Sequence, residues 1–124
     1  MKYAPIGLFV YNRLSTTRLV VESLQANPEA KNSILYIFSD GPKEGHEKHV
    51  AIIRSYIRNI KGFQTINIIE SKDNKGLANS FIDGISNILE IYSYAMFLED
   101  DNIVSFSPLT FYINKATHEN CVNN

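Results

Sequence analysis

With 124 residues, 44% of them hydrophobic and 20% charged, the chain holds enough apolar mass for one compact domain with a real core. A formal charge of -1 and a pI near 6.3 leave no basic stripe to neutralise a phosphate backbone, which argues against nucleic acid as a partner. No apolar run approaches the ~20 residues that span a bilayer, and the single cysteine, Cys121, cannot form an internal disulfide, so the expectation is a cytoplasmic protein, free or peripheral to a membrane.

Pro5 to Tyr11 is nearly continuous in apolar residues, the mark of a strand covered on both faces in a parallel sheet. After Asn12-Arg13, Ser15 and Thr16 are placed to cap a helix whose inward stripe is Thr17, Val20, Val21 and Leu24, ended by Asn27-Pro28. The unit repeats. Ile34 to Phe38 reads as a second strand broken by Asp40-Gly41-Pro42, and Val50, Ile53, Ile57 and Ile60 mark one helical face closed by Lys61-Gly62. Thr65 to Ile69 is a third strand, Glu70 to Lys75 a loop, and Leu77, Phe81, Ile85, Ile88 and Leu89 another helical stripe. Tyr94 to Leu98 gives a fourth strand running into Glu99-Asp100-Asp101-Asn102, after which Ser107-Pro108 has the form of an N-cap and first helical residue, predicting a helix over Ser107 to Thr117. This alternation predicts a three-layer α/β/α, Rossmann-like domain with four parallel strands in the order 3-2-1-4. It would occupy residues 1–118, with 119–124 a frayed tail.

Ligands of an open parallel sheet bind beyond the carboxyl ends of its strands, so the residues that follow each strand are the candidates. They are Tyr11, Asn12 and Arg13 after the first, Asp40 after the second, Asn74, Lys75 and Gly76 before the third helix, and Glu99, Asp100 and Asp101 after the fourth. The acidic run is the strongest signal. Adjacent carboxylates raise each other's pKa unless a cation sits between them, and Mg²⁺ or Mn²⁺ takes carboxylate oxygens together with substrate phosphates. The same run also reads as a solvated acidic turn. A response-regulator phosphoacceptor would need its acidic pair after the first strand, where Asn12-Arg13 stand. Asp40 suits the imide N–H of a uracil or an Asx-turn with Gly41-Pro42. The loop Asp73-Asn74-Lys75-Gly76 ahead of the third helix offers backbone amides and a cation to a diphosphate or a base edge, or a cap from Asn74. His46 and His49 have no third ligand nearby and read as solvated.

Taken together, the segment Pro5 to Arg13, Ser23-Leu24, Asp40-Gly41, Asn74-x-Gly76-x-Ala78-x-Ser80 with Gly84-Ile85, and Phe97 to Asn102 resemble glycosyltransferase family 2. The resemblance is to nucleotide-diphospho-sugar transferases of the GT-A fold, in a branch whose acidic motif is Glu-Asp-Asp, similar to animal N-acetylglucosaminyltransferases. It implies a uridine-diphosphate sugar donor, a glycan or other hydroxyl acceptor, and Mn²⁺ or Mg²⁺. It also implies that Asp40 contacts uracil, that the first-strand loop lines the nucleotide pocket, that Asp101 binds the metal, and that Glu99 and Asp100 lie near ribose and sugar. Family members run to roughly 200 or more residues, with the acceptor base in the later part, so no catalytic base is nominated here and the expected chain is a donor-binding half. The alternative is a non-catalytic nucleotide-binding or assembly module. A half-sheet would leave the fourth strand as an open edge, the expected route to a homo-oligomer.

Overall fold

Each β-rich run is short enough to be a strand and is followed by a helical stripe, and the computed structural model, which describes residues 3–100 and the backbone of Thr110–Asn114, realises that alternation. Strand β1 (Ile6–Val10) leads to helix α1 (Leu14–Gln25) and a 3-10 turn (Pro28–Asn32). Then come β2 (Ile34–Ser39), α2 (Glu47–Ile57), β3 (Thr65–Glu70), α3 (Leu77–Leu89), β4 (Tyr94–Glu99) and β5 (Thr110–Asn114). The sheet runs β3-β2-β1-β4-β5, its first four strands parallel in the predicted order 3-2-1-4.

Successive residues of a strand face opposite sides of the sheet, and here each side has its own core. Ile6, Leu8 and Val10 of β1, Leu35 and Ile37 of β2 and Leu98 of β4 pack with Val20 and Val21 of α1 and with Ile53 and Ile57 of α2. The intervening residues Phe9, Phe38, Ala95 and Phe97 face Ile85, Ile88 and Leu89 of α3. Three layers result. The second side is aromatic: the Phe9 ring stacks on Phe38 at 5.0 Å and on Phe81 at 4.3 Å between centroids.

The end of the chain corrects the sequence reading. Within the span predicted as a helix, Thr110–Asn114 is a strand that pairs antiparallel with β4, Leu98 opposite Thr110 and Tyr94 opposite Asn114. Thr, Phe, Tyr and Ile suit a pleated surface, and the open side of β4 supplies their hydrogen-bond partners, which outweighs the Ser-Pro start signal. Strand β4 is therefore paired on both sides, by β1 and β5, and is not the open edge through which association was expected. The predicted cap of α1 also differs. Ser15 and Thr16 lie inside its first turn, Arg13 is the residue before it, and the Thr16 hydroxyl donates back to the Arg13 carbonyl at 3.2 Å. No helix among the described residues is long and apolar enough to cross a membrane.

Helix α3 reaches its side of the sheet through Gly84. A Cβ there would come within 2.6 Å of Phe9 Cε1, 2.8 Å of Phe9 Cζ and 3.2 Å of Phe38 Cδ2. Replacing a helical glycine with alanine ordinarily stabilises by ~1 kcal/mol, whereas forcing a methyl group into a filled core costs ~1–3 kcal/mol. The Phe9 ring is stacked on both Phe38 and Phe81, and moving it breaks those contacts, so the second effect wins. Gly84→Ala is expected to lower the midpoint of chemical denaturation; a raised midpoint would show that α3 stands farther from the sheet.

Candidate functional site

Parallel strands bring their carboxyl ends to one edge of the sheet, and a cleft of about 230 Å³ opens there. That is close to the lower bound of ~300 Å³ for small-molecule clefts. Its lining includes Tyr11, Asn12, Arg13, Asp40, Asn74, Gly76, Glu99 and Asp100, all predicted from sequence. Lys75 is not among the lining residues, its ammonium lying 3.2 Å from Asp83 on the exposed side of α3, and Asp101 lies outside the described residues. Lys43, Leu77 and Ser80 line the cleft as well, over an apolar wall of Phe9, Val10 and Phe38.

Asp40 joins two of the loops that make this edge. One carboxylate oxygen accepts from the amides of Gly41 and Lys75, each at 2.9 Å, and the other from the Gly76 amide at 3.1 Å and Asn74 Nδ2 at 3.2 Å. Asn74 Nδ2 donates also to the Gly41 carbonyl at 2.7 Å. An ionised carboxylate has roughly four lone-pair directions, and all are engaged. The amides of Lys75 and Gly76, which the sequence offered to a diphosphate, thus already hold an internal anion at the start of α3. Asn74 does not cap that helix. The residue before it is Gly76, whose φ of 85° lies in the left-handed region that only glycine enters without strain.

The contact between the two loops is close. A Cβ on Gly41 would stand 2.4 Å from the Asp73 carbonyl carbon and 2.5 Å from its oxygen, so backbone meets backbone there. From below, Arg54 of α2 donates to the Ser39 hydroxyl at 2.9 Å and to the carbonyls of Ser39 and Asp40 at 3.2 Å and of Ser71 at 2.8 Å. The carbonyls at the ends of β2 and β3 are satisfied by this one guanidinium. Beside it, Arg58 makes a two-pronged pair with Glu70, and that hydrogen bonding holds the Glu70 carboxyl below its ordinary range.

Asp100 forms the second anchor. It is 7% exposed, and its Oδ2 accepts from the fully buried Thr17 hydroxyl at 2.9 Å and from the Tyr11 amide at 3.3 Å. Phe97 faces α3 and Leu98 faces α1 and α2; Glu99, the last residue of β4, and Asp100, just past it, both line the cleft. Among the described residues no three His, Cys, Asp or Glu side chains gather into a metal site.

Tyr11 ties the first loop to the segment after β2. Its hydroxyl accepts from the Lys43 amide at 2.8 Å and pairs with His46 Nδ1 at 2.9 Å, the two rings meeting edge to face. His46 is thus held by Tyr11, where the sequence suggested solvation. Arg54, Thr17 and His46 are the participants that sequence reading missed. Thr17 stood in a predicted buried stripe, and a hydroxyl among Val20, Val21 and Leu24 was the available hint of a polar partner. Ser80 Oγ, buried at the first turn of α3, has no hydrogen-bond partner among the described residues. No protein-family model matches the chain, and a search of curated proteins found no match.

Two roles for Asp40 predict different results without any ligand. Asp40→Asn turns one acceptor into a donor facing donors, so the unliganded protein should lose about 2 kcal/mol of stability. Thermal and chemical denaturation of the pair measure this. A residue that acted on a bound base and nothing else would leave unliganded stability unchanged.

Proposed function

We propose that the chain binds a uridine-diphosphate sugar in this cleft and is the donor-binding part of a glycosyltransferase that passes the sugar to a hydroxyl of a glycan or similar acceptor. The observation that carries the reading is the meeting, at the carboxyl ends of β1, β2 and β4, of loops chosen from sequence for their nucleotide-binding chemistry. Phe9 and Phe38 give the cleft an apolar side that suits the apolar part of a base or sugar, while Asn12, Arg13 and Lys43 supply donors and positive charge. Asp40 would select the base indirectly, by fixing the loops that border it. With its four acceptor directions filled, that role fits it better than direct contact with a uracil imide.

A divalent cation, Mn²⁺ or Mg²⁺, belongs to the same proposal. Asp101 is the metal ligand that the resemblance implies, and Glu99, which the resemblance puts near ribose and sugar, lines the cleft with a carboxylate of the kind such ions take. Bound there, the cation would stabilise the leaving diphosphate. Asp100 would act through position, keeping the Tyr11 loop and α1 in place from its buried side. The single cysteine fits a reducing compartment such as the cytoplasm.

Calorimetric titration with uridine diphosphate, with and without Mn²⁺, tests both parts. Affinity should rise with the metal, and Asp101→Ala should abolish the rise while sparing the metal-free value. If Asp101→Ala binds as the parent does with the same Mn²⁺ dependence, the metal assignment fails. If no uridine nucleotide binds under any condition, the function fails with it. Binding without sugar transfer would identify a nucleotide-binding module.

A further inference from the structure

Cationic side chains are few at the cleft. The amides of Lys75 and Gly76, just before α3, are taken by Asp40, and the Lys75 ammonium is paired with Asp83. The Arg54 guanidinium is consumed by backbone carbonyls, and Arg58 is paired with Glu70. Among the described residues that line the cleft, the cations are Arg13 and Lys43, and no ion pair engages either one. Both are exposed at the rim.

We propose that Lys43 is a phosphate-binding residue, acting with Arg13 on the diphosphate of a nucleotide in the cleft. This rests on the nucleotide reading above. Its support is that the position of Lys43 is fixed while its charge is uncommitted. The Lys43 amide donates to the Tyr11 hydroxyl at 2.8 Å, and that hydroxyl also holds His46 at 2.9 Å, so the segment after β2 is pinned to the end of β1 at two points. Pro42, just before it, restricts the backbone further. Arg13 stands immediately before α1, its carbonyl accepting from the Thr16 hydroxyl and the Thr17 amide, so its backbone too is held. A long, flexible ammonium on a fixed stem suits a point charge such as a phosphoryl oxygen, and it complements the acidic side of the cleft at Glu99.

The anchoring contact of Lys43 runs through its backbone N–H, so truncating the side chain leaves the loop in place and isolates the charge. The experiment titrates uridine and uridine diphosphate into the parent, Lys43→Ala and Lys43→Arg at two ionic strengths. Lys43→Ala should weaken the diphosphate roughly tenfold at low salt and leave uridine unchanged, with Lys43→Arg close to the parent. The difference should shrink at high salt. Equal losses for uridine and its diphosphate would overturn the proposal by showing that Lys43 acts through loop shape, and an unchanged diphosphate affinity would overturn it directly. A parent that binds neither ligand would instead remove the nucleotide reading itself, and this assignment with it.

Discussion

Two loops that are distant in sequence are held at the ligand edge of the sheet by one carboxylate, and most of the cleft's geometry follows from that contact. Asp40 sits one residue past β2, and the amides it receives belong to the segment after β3. The start of α3 brings a partial positive charge and unpaired amides, so an anion placed there gains from both. The arrangement tolerates no spacer. Gly41 must pass directly over the Asp73 backbone, and Gly76 must take a left-handed turn for its amide to reach the same carboxylate. Arg54 completes the assembly from beneath by satisfying carbonyls of both loops, which are then rigid without depending on a ligand.

Asp100 does for the opposite pair of loops what Asp40 does for the first. Its buried oxygen links the end of β4 to the first turn of α1 through Thr17 and to the end of β1 through Tyr11. A carboxylate with so little exposure is costly unless its hydrogen bonds are made, and Thr17, itself fully buried, is present to make one. Two acids that read in sequence as ligand contacts thus also hold the protein's own loops together. They line the cleft as well, and Tyr11, joined to Asp100 by its amide and to Lys43 by its hydroxyl, connects the two halves.

Sheet order was legible because each β-rich run was followed by a helical stripe, and right-handed crossovers then leave few arrangements. The division of the core was legible for the same reason: Ile6, Leu8 and Val10 alternate with Gly7 and Phe9, and alternation assigns faces. The cleft opens where the rule for strand ends put the candidate residues. What stayed hidden was side-chain direction at the loops. A sequence shows Glu99 beside Asp100 but not that the Thr17 hydroxyl and the Tyr11 amide both donate to one oxygen of Asp100. It shows amides at Lys75 and Gly76 but not that an acid some thirty-five residues earlier already fills them. The fifth strand was missed because Ser107-Pro108 is a local signal, whereas the pairing of Thr110–Asn114 with β4 depends on an edge that exists only in the folded sheet.

Filling the amide nest with Asp40 has a consequence for how an anionic ligand would be held. In folds where backbone amides at a helix start bind phosphate directly, the donors are fixed and cost little to order. Here Asp40 takes the amides of Lys75 and Gly76, so on the proposed reading Arg13 and Lys43 would supply the charge, and their long side chains would lose rotamer freedom in closing on a ligand. Such a site would bind phosphate less tightly per contact, with more of its affinity dependent on salt. The compensating feature is the wall of Phe9 and Phe38, held by stacking with Phe81 and by the close approach of α3 at Gly84. Both rings belong to the core, so the apolar side of the cleft is formed before any ligand arrives, and on the proposed reading it would favour a ligand with an apolar part over phosphate alone.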